Sequence, residues 1–408
     1  MTDDLPMRAA TDADLPALVE FITGAFLRDP EDDELDVQRL VSEPDRTHVI
    51  SDGPTIVGTG MILTRDLTVP GALIPAAHVT GVAVASTHRR QGLLTRIMTA
   101  QLEAVRDRGT EPVAVLWASE GAIYGRFGYG VASWQMEYTI TTRETALIVP
   151  PSPGRLRQAV PKDVIGDLSA VFDRAQAGRP GRSSRDERWW KYHTADPKSW
   201  RRGRSAQRAV LYDSGDEIDG YAIWRVKSSW GDAGPDGEVA VIEVVAATAD
   251  AYRALWRFLL SIDLTRTVTY YFAASDEPLA QLVTNPSGLD ASVGPGLWLR
   301  IVDLPRALAD RRYAASVDVV LEVTDAMLPA NAGRWHLVGS QAAARCEATE
   351  DEPDLTLDVG HLGAAYLGGT SLLSLGAAGL VTEHRAGTLA ATSTAFGWSP
   401  APLSIEIF

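Results

Sequence analysis

Cysteine is nearly absent from this 408-residue sequence: Cys346 stands alone. An internal disulfide needs a second thiol, and cysteine-ligated zinc and iron–sulfur centres need several, so all three are excluded. Basic residues are also outnumbered, with 38 Lys and Arg against 53 Asp and Glu and a net charge of −15. Such a field disfavours indiscriminate binding to nucleic-acid phosphates or anionic membranes and suits a cationic partner. No apolar run approaches the roughly 20 residues of a membrane span. The N-terminus lacks the basic-then-apolar order of a secretory signal. A reducing, cytoplasmic setting is the expectation. His78, His88, His193, His336, His361 and His384 show neither i, i+4 pairing nor cysteine companions, so no metal site is expected. The 35 glycines and 23 prolines stay below the share that marks low-complexity disorder.

What is present is enough for two or three domains at roughly 150 residues each. Thr11-x-x-Asp14 caps a helix whose apolar positions Leu15, Leu18, Val19, Ile22 and Phe26 recur at helical spacing. Thr47–Ile50, Thr55–Leu63 and Ala76–Val84 are β-branched stretches separated by Asp52-Gly53-Pro54 and Val69-Pro70-Gly71, the punctuation of an antiparallel meander. From Gly92 the period changes to three or four, through Leu94, Ile97, Met98, Leu102 and Val105, with Gly109 as C-terminal cap and Val113–Trp117 as the next strand. This order predicts an α+β domain around a mixed sheet. Pro150-Pro151-Ser152-Pro153-Gly154 disfavours helix and central strand and predicts a boundary. Strands near Ala209–Tyr212, Tyr221–Val226 and Val239–Val245, a helix over Asp250–Ser261 and a strand near Val268–Phe272 repeat the first domain's order. A third, smaller domain follows Gly294-Pro295-Gly296. The predicted limits are 1–150, 151–296 and 297–408.

The chemistry concentrates in Val82-Ala83-Val84-Ala85-Ser86-Thr87-His88-Arg89-Arg90-Gln91-Gly92-Leu93-Leu94-Thr95. A strand end delivers a turn that opens a helix, so free backbone N–H groups, the positive end of the helix dipole, Arg89 and Arg90 converge. A pyrophosphate fits there, and the edge at Val82–Val84 can pair with an extended pantetheine chain. The competing reading is a basic helix start with a solvated arginine pair.

Arg89-x-x-Gly92-x-Leu94 after this strand resembles the acetyl-CoA loop of the Gcn5-related N-acetyltransferases (GNAT), with Leu94 departing from the usual small residue. The run Ala118-Ser119-Glu120-Gly121-Ala122-Ile123-Tyr124-Gly125-Arg126-Phe127-Gly128-Tyr129-Gly130 resembles one branch of them, the enhanced intracellular survival (Eis) proteins, acetyltransferases of aminoglycoside amines. The resemblance implies two tandem α+β acetyltransferase-like domains with mixed sheets and a sterol-carrier-like C-terminal domain. It implies acetyl-CoA as co-substrate, without a metal, and cofactor contacts at Val82, Ala83, Val84, Arg89, Arg90, Gln91, Gly92, Leu93, Leu94, Thr95, Ser119 and Glu120. It makes Tyr124 the general acid and the α-carboxylate of Phe408 the general base, and it implies a homohexamer built as a dimer of trimers.

The expected acceptor is a primary amine on a cationic, aminoglycoside-like molecule or a lysine-type group. Phe26, Trp117 and Glu406 are the candidate substrate contacts. Ile407 stands where the family carries an acid, and Arg28 where relatives can carry another. On residue pattern alone Tyr124 and Tyr129 fit an aromatic plug in a glycine-rich turn equally well, and the C-terminal segment fits a tail docked for stability. The second domain has no Arg-x-x-Gly run before its helix and is expected to have lost cofactor binding. Two alternatives stay open: a carrier of lipid or other hydrophobic ligands, and a non-catalytic assembly module that senses acetyl-CoA.

Overall fold

The computed structural model describes residues 5–29, 31, 33–176 and 178–408. The chain forms two compact units: one from residues up to Ser133 with Pro180–Ser184 and Gly296–Phe408, the other from Trp134–Arg179 and Arg185–Pro295.

In the first unit the capping pattern read from Thr11 and Asp14 forms as expected. Thr11 N and Oγ1 each lie 2.8 Å from Asp14 Oδ2, and the Asp12–Asp14 turn leads into the helix Leu15–Ala25. Arg8 grips the same carboxylate at 2.7 and 2.8 Å, which holds Asp14 well below the usual carboxylate range. Thr55–Val69 and Ala72–Val84 form one long hairpin, longer at its turn end than the β-branched stretches indicate. Its turn needs Gly71, at φ +69°, because a Cβ there would meet the Arg312 side chain at 2.6 Å.

The hairpin lies in a seven-stranded sheet ordered Met7–Ala9, Thr47–Asp52, Thr55–Val69, Ala72–Val84, Val113–Trp117, Leu297–Ile301, Gly130–Val131. Side chains alternate across it. Ile62, Ala77, Val79, Ala114 and Leu116 pack under Met98, Leu102 and Val105 of the helix Leu93–Arg108. Ala76, Val113, Val115, Leu297, Leu299 and Ile301 face the other way, into a core shared with Leu321, Leu337, Tyr366 and Phe396. That second layer has a five-stranded sheet, ordered Ala344–Ala348, Gly333–Gly339, Val317–Thr324, Leu355–Asp358, Val381–Glu383. Its glycine-rich helix Val359–Ala365 packs closely: a Cβ on Gly363 would meet Leu299 O at 2.6 Å.

The second unit is a seven-stranded sheet ordered Ala291–Pro295, Trp134–Thr141, Thr265–Ala274, Gly237–Ala246, Ile218–Lys227, Arg208–Asp213, Arg155–Ala159. Trp256, Leu255 and Leu259 of the helix Ala249–Leu260 fill its core. Trp189 and Trp190 are buried, as core rather than surface.

The limits 1–150, 151–296 and 297–408 do not follow these units. Trp134–Thr141 ladders with Thr265–Ala274 and Ala291–Pro295 in the second sheet. Leu297–Ile301 ladders with Val113–Trp117 in the first. Pro150–Gly154 lies inside the second unit. Prolines mark where helix and ladder stop, whereas strand pairing decides to which core a segment belongs.

Candidate active site

Ala72–Val84 pairs in parallel with Val113–Trp117 only at Ala76, Ala77 and His78. Its other edge stays laddered to Thr55–Val69 as far as Ala83 and Val84. The two parallel strands therefore part, and the main chain of Val82–Val84 borders a cleft of about 700 Å³. Val82, Ala83 and Val84 form one wall, His88, Arg89, Arg90 and Gly92–Thr95 a second, and Ser119, Glu120, Ile123, Tyr124 and Arg126 a third. Ala25, Phe26 and Leu27 close one end.

The loop entering the helix Leu93–Arg108 is shaped for close approach. Arg90 sits at φ +61° and the N-cap Gly92 at φ +83°. Nothing lies within 4 Å of a Cβ placed on Gly92, and no side chain caps this helix. Its first N–H groups have no intrahelical acceptor and lie beside two exposed arginines, an arrangement that attracts anions.

Tyr124 ends the short turn Gly121–Tyr124. Burial, with the charge of Glu120 adding to it, raises its phenol above the ordinary value, so the hydroxyl is a retained proton source near neutral pH. Tyr129 lies 6.1 Å behind it, ring to ring, in an edge-on arrangement. Its hydroxyl is buried without a partner. Both tyrosines belong to one buried cluster, and of the two Tyr124 lines the cleft.

The C-terminal segment docks on the same strand. Leu403, Ser404, Ile405 and Glu406 are buried, and Leu403 N donates to Pro180 O at 2.8 Å. Thr80 Oγ1 donates to the main-chain oxygen of Phe408 at 2.7 Å. The Phe408 ring meets the His78 ring edge-on at 4.6 Å. His78 is completely buried, with Nδ1 3.0 Å from Ala76 O and Nε2 2.7 Å from Ser183 Oγ. Burial, reinforced by Arg65, pushes its pKa down to about 3, so the ring is neutral.

An acetyltransferase (GNAT) domain family matches residues 6–132 and a second one residues 181–301, and a sterol carrier protein domain family matches residues 304–404. An uncharacterized N-acetyltransferase of Streptomyces avermitilis is 44% identical over 373 residues, 91% of either chain. The N-acetyltransferase Eis of Mycobacterium bovis is 36% identical over 354 residues, 84% of this chain and 79% of that one. The crystal structure of Eis1 from Mycobacterium abscessus superposes with a TM-score of 0.83 at 31% identity, over 99% of this chain and 100% of that one. The chain belongs to the Eis family. It is an N-acetyltransferase with two GNAT domains and a sterol-carrier-like domain.

Three residues expected at the site of this Eis-family enzyme stand elsewhere. Gln91 is absent from the cleft wall; its Nε2 donates back to Thr87 O at 3.2 Å, which closes the turn. Trp117 packs against the core shared with the C-terminal layer instead of lining the cleft. Glu406 is buried and paired with Arg65, while apolar Ile407 is exposed, the reverse of what hydrophobicity alone dictates. Arg28, in turn, is paired with buried Glu34 at 3.0 Å. Phe26 remains on the wall; Phe408 is not among the residues that line the cleft, but is held at Thr80, two residues before Val82 in the chain. Sequence reasoning missed Arg65, Thr80, Ile123 and Arg126. For Thr80 a signal existed: alternation puts Ala76, His78 and Thr80 on one face of their strand, up to the irregularity at Gly81, where φ is +57°. Among the described residues no group of three or more His, Cys, Asp or Glu could hold a metal ion. No helix among them is long and apolar enough to cross a membrane.

Proposed function

We propose that the enzyme transfers an acetyl group from acetyl-CoA directly to a primary amine of a cationic small molecule or lysine-type acceptor. The carrying observation is that one strand, Ala72–Val84, borders the Tyr124 cleft at Val82–Val84 and holds Phe408 at Thr80. The open edge at Val82–Val84 suits the amides of pantetheine, and Arg89, Arg90 and the helix start at Gly92 suit the pyrophosphate. A neutral amine attacks the thioester carbonyl; the C–N bond forms and the C–S bond breaks. The Phe408 α-carboxylate takes the amine proton, and Tyr124 gives its proton to the departing thiolate. In water a phenol of pKa about 10 protonating a thiolate whose acid has pKa about 8.5 is uphill by roughly 2 kcal/mol, and the raised value of Tyr124 adds to that. Placement against the sulfur offsets it.

Appending one glycine after Phe408 should lower kcat by about 100-fold or more, the usual worth of a placed base, with an unchanged melting temperature. Tyr124→Phe should lower kcat by about tenfold or more while acetyl-CoA affinity holds. Full activity in the extended protein defeats the terminal-base role. An amine panel followed by released CoA identifies the acceptor, and light scattering tests the expected homohexamer. The carrier alternative has less support: a pocket of about 310 Å³ in the C-terminal layer is walled by polar groups such as Asp318, Arg385, Thr388 and Thr392.

A further inference from the structure

The final residues of the chain are held by side chains that share one face of the long hairpin. Arg65 lies opposite Ala76 in the antiparallel register, and His78 and Thr80 follow Ala76 at two-residue steps, so all of them project to the same side. Arg65 pairs with Glu406, His78 packs on the Phe408 ring, and Thr80 Oγ1 binds the Phe408 oxygen. The guanidinium is itself fixed from another direction. Arg65 Nε and Nη2 donate to Ser184 O at 2.8 and 2.6 Å. Ser184 belongs to a segment tied to the hairpin through Ser184 N to Asp66 O, Thr68 N to Arg182 O and Gly181 N to Thr68 O, each 2.8 Å.

A buried ion pair is a poor way to gain stability, because desolvating two charges offsets most of their attraction; its better-attested use is to specify register. Here the register is unambiguous. In Ser404-Ile405-Glu406-Ile407-Phe408 only Glu406 carries a side-chain charge. A slip of one residue in either direction would set an isoleucine against the guanidinium of Arg65, whose side chain is 1% exposed, and strand the buried Glu406 carboxylate. The same slip would carry the last carboxyl about 3.3 Å along its track, beyond hydrogen-bond reach of the proton it must accept.

We infer that Arg65 is a positioning residue of the reaction: through its ion pair with Glu406 it sets the register in which the Phe408 carboxylate meets Thr80 and the acceptor amine. This rests on the terminal-base reading above.

The test compares wild type, the glycine-extended protein, Arg65→Met, Glu406→Gln, and Arg65→Met carrying the extension, all as full chains. Arg65→Met should lower kcat by about 30-fold while leaving the KM for acetyl-CoA within about twofold, a split that misplacing a base produces and general unfolding does not. Glu406→Gln keeps the shape without the charge and should lower kcat by a smaller factor, about five. In the Arg65→Met background the added glycine should cost little more, because the base is already displaced. Wild-type kcat in both Arg65→Met and Glu406→Gln overturns the inference while leaving the terminal base intact. Losses that multiply when Arg65→Met is combined with the extension also overturn it, since Arg65 then acts through something other than the tail. Full activity of the extended protein alone removes the terminal base and the inference together. Should Arg65→Met fail to fold, Glu406→Gln decides the matter by the same kcat and KM readings.

Discussion

The two units meet the same topological situation, a strand feeding a helix beside a parallel partner, and resolve it differently. In the first, the strand ends at Val84 and the helix starts at Leu93, leaving a basic loop and a bare N-cap at Gly92. In the second, the strand ends at Ala246 and the helix starts at Ala249. There Thr248 caps the helix, its Oγ1 accepting from Ala251 N at 3.2 Å, and Asp250 adds negative charge to the first turn. Pairing differs as well: Gly237–Ala246 matches its parallel neighbour from Gly237 to Val241, against three residues, Ala76–His78, in the first unit. A helix start satisfied by its own cap and an acidic neighbour has little to offer a phosphate. One left bare beside arginines does, and this difference is what the proposed division of labour between the two copies rests on.

The comparison breaks most visibly at the arginines. Arg89→Gln with Arg90→Gln should weaken acetyl-CoA binding by about 10- to 100-fold, from the loss of two charge-assisted contacts, measured by titration calorimetry at fixed salt. An unchanged affinity would put the cofactor elsewhere, the second unit included. Acid should reveal the next largest effect. His78 titrates near 6.5 when unfolded and about 3 when folded, with Arg65, Glu406 and Arg46 as its charged neighbours. Its contribution is therefore complete above pH 6.5 and falls by roughly 1 kcal/mol for each pH unit below that. Denaturant melts of His78→Asn should show a flatter slope between pH 6.5 and about 4.5; a parallel slope would rule out His78 as its source. At lower pH the depressed carboxylates Asp14 and Glu243 lose their stabilising charge in both proteins.

Removing the cap of the second helix is expected to act on stability alone. Thr248→Ala should cost about 1 kcal/mol and leave acetyl-CoA affinity untouched; a changed affinity would contradict the division of labour. The smallest effect belongs to Tyr129. Tyr129→Phe removes a buried hydroxyl without a partner, so stability should stay within about 0.5 kcal/mol or rise, with kcat unchanged, in contrast to Tyr124→Phe. A large fall in kcat would return Tyr129 to the reaction.

Local chemistry made much of the molecule readable in advance. Thr11 and Asp14 announce a helix start, Gly109 a helix end, and the shift from period two to period 3.6 at Gly92 the passage from strand to helix. The cleft residues Val82–Val84, Arg89, Arg90 and Gly92–Thr95 were readable because the segment that carries them is continuous. Leu297–Ile301 is different. Its alternation marks a strand, but its partner at Val113–Trp117 is remote in sequence, and nothing local tells the first sheet from the second. Arg65 and Glu406 were harder still, for an arginine in one strand and a glutamate near the last residue look like ordinary surface charges until they are seen buried together.

Sequence alone thus sufficed wherever the cause and its effect lie within a few residues: caps, turns, periodicity and the basic loop before Leu93, all governed by backbone hydrogen bonding and side-chain alternation. Tertiary structure alone decided which tyrosine faces the cleft, which sheet receives Leu297–Ile301, and why Glu406 turns inward while Ile407 stays out. Those outcomes depend on desolvation and on the pairing of groups hundreds of residues apart, and such energies exist only once the chain has closed around them.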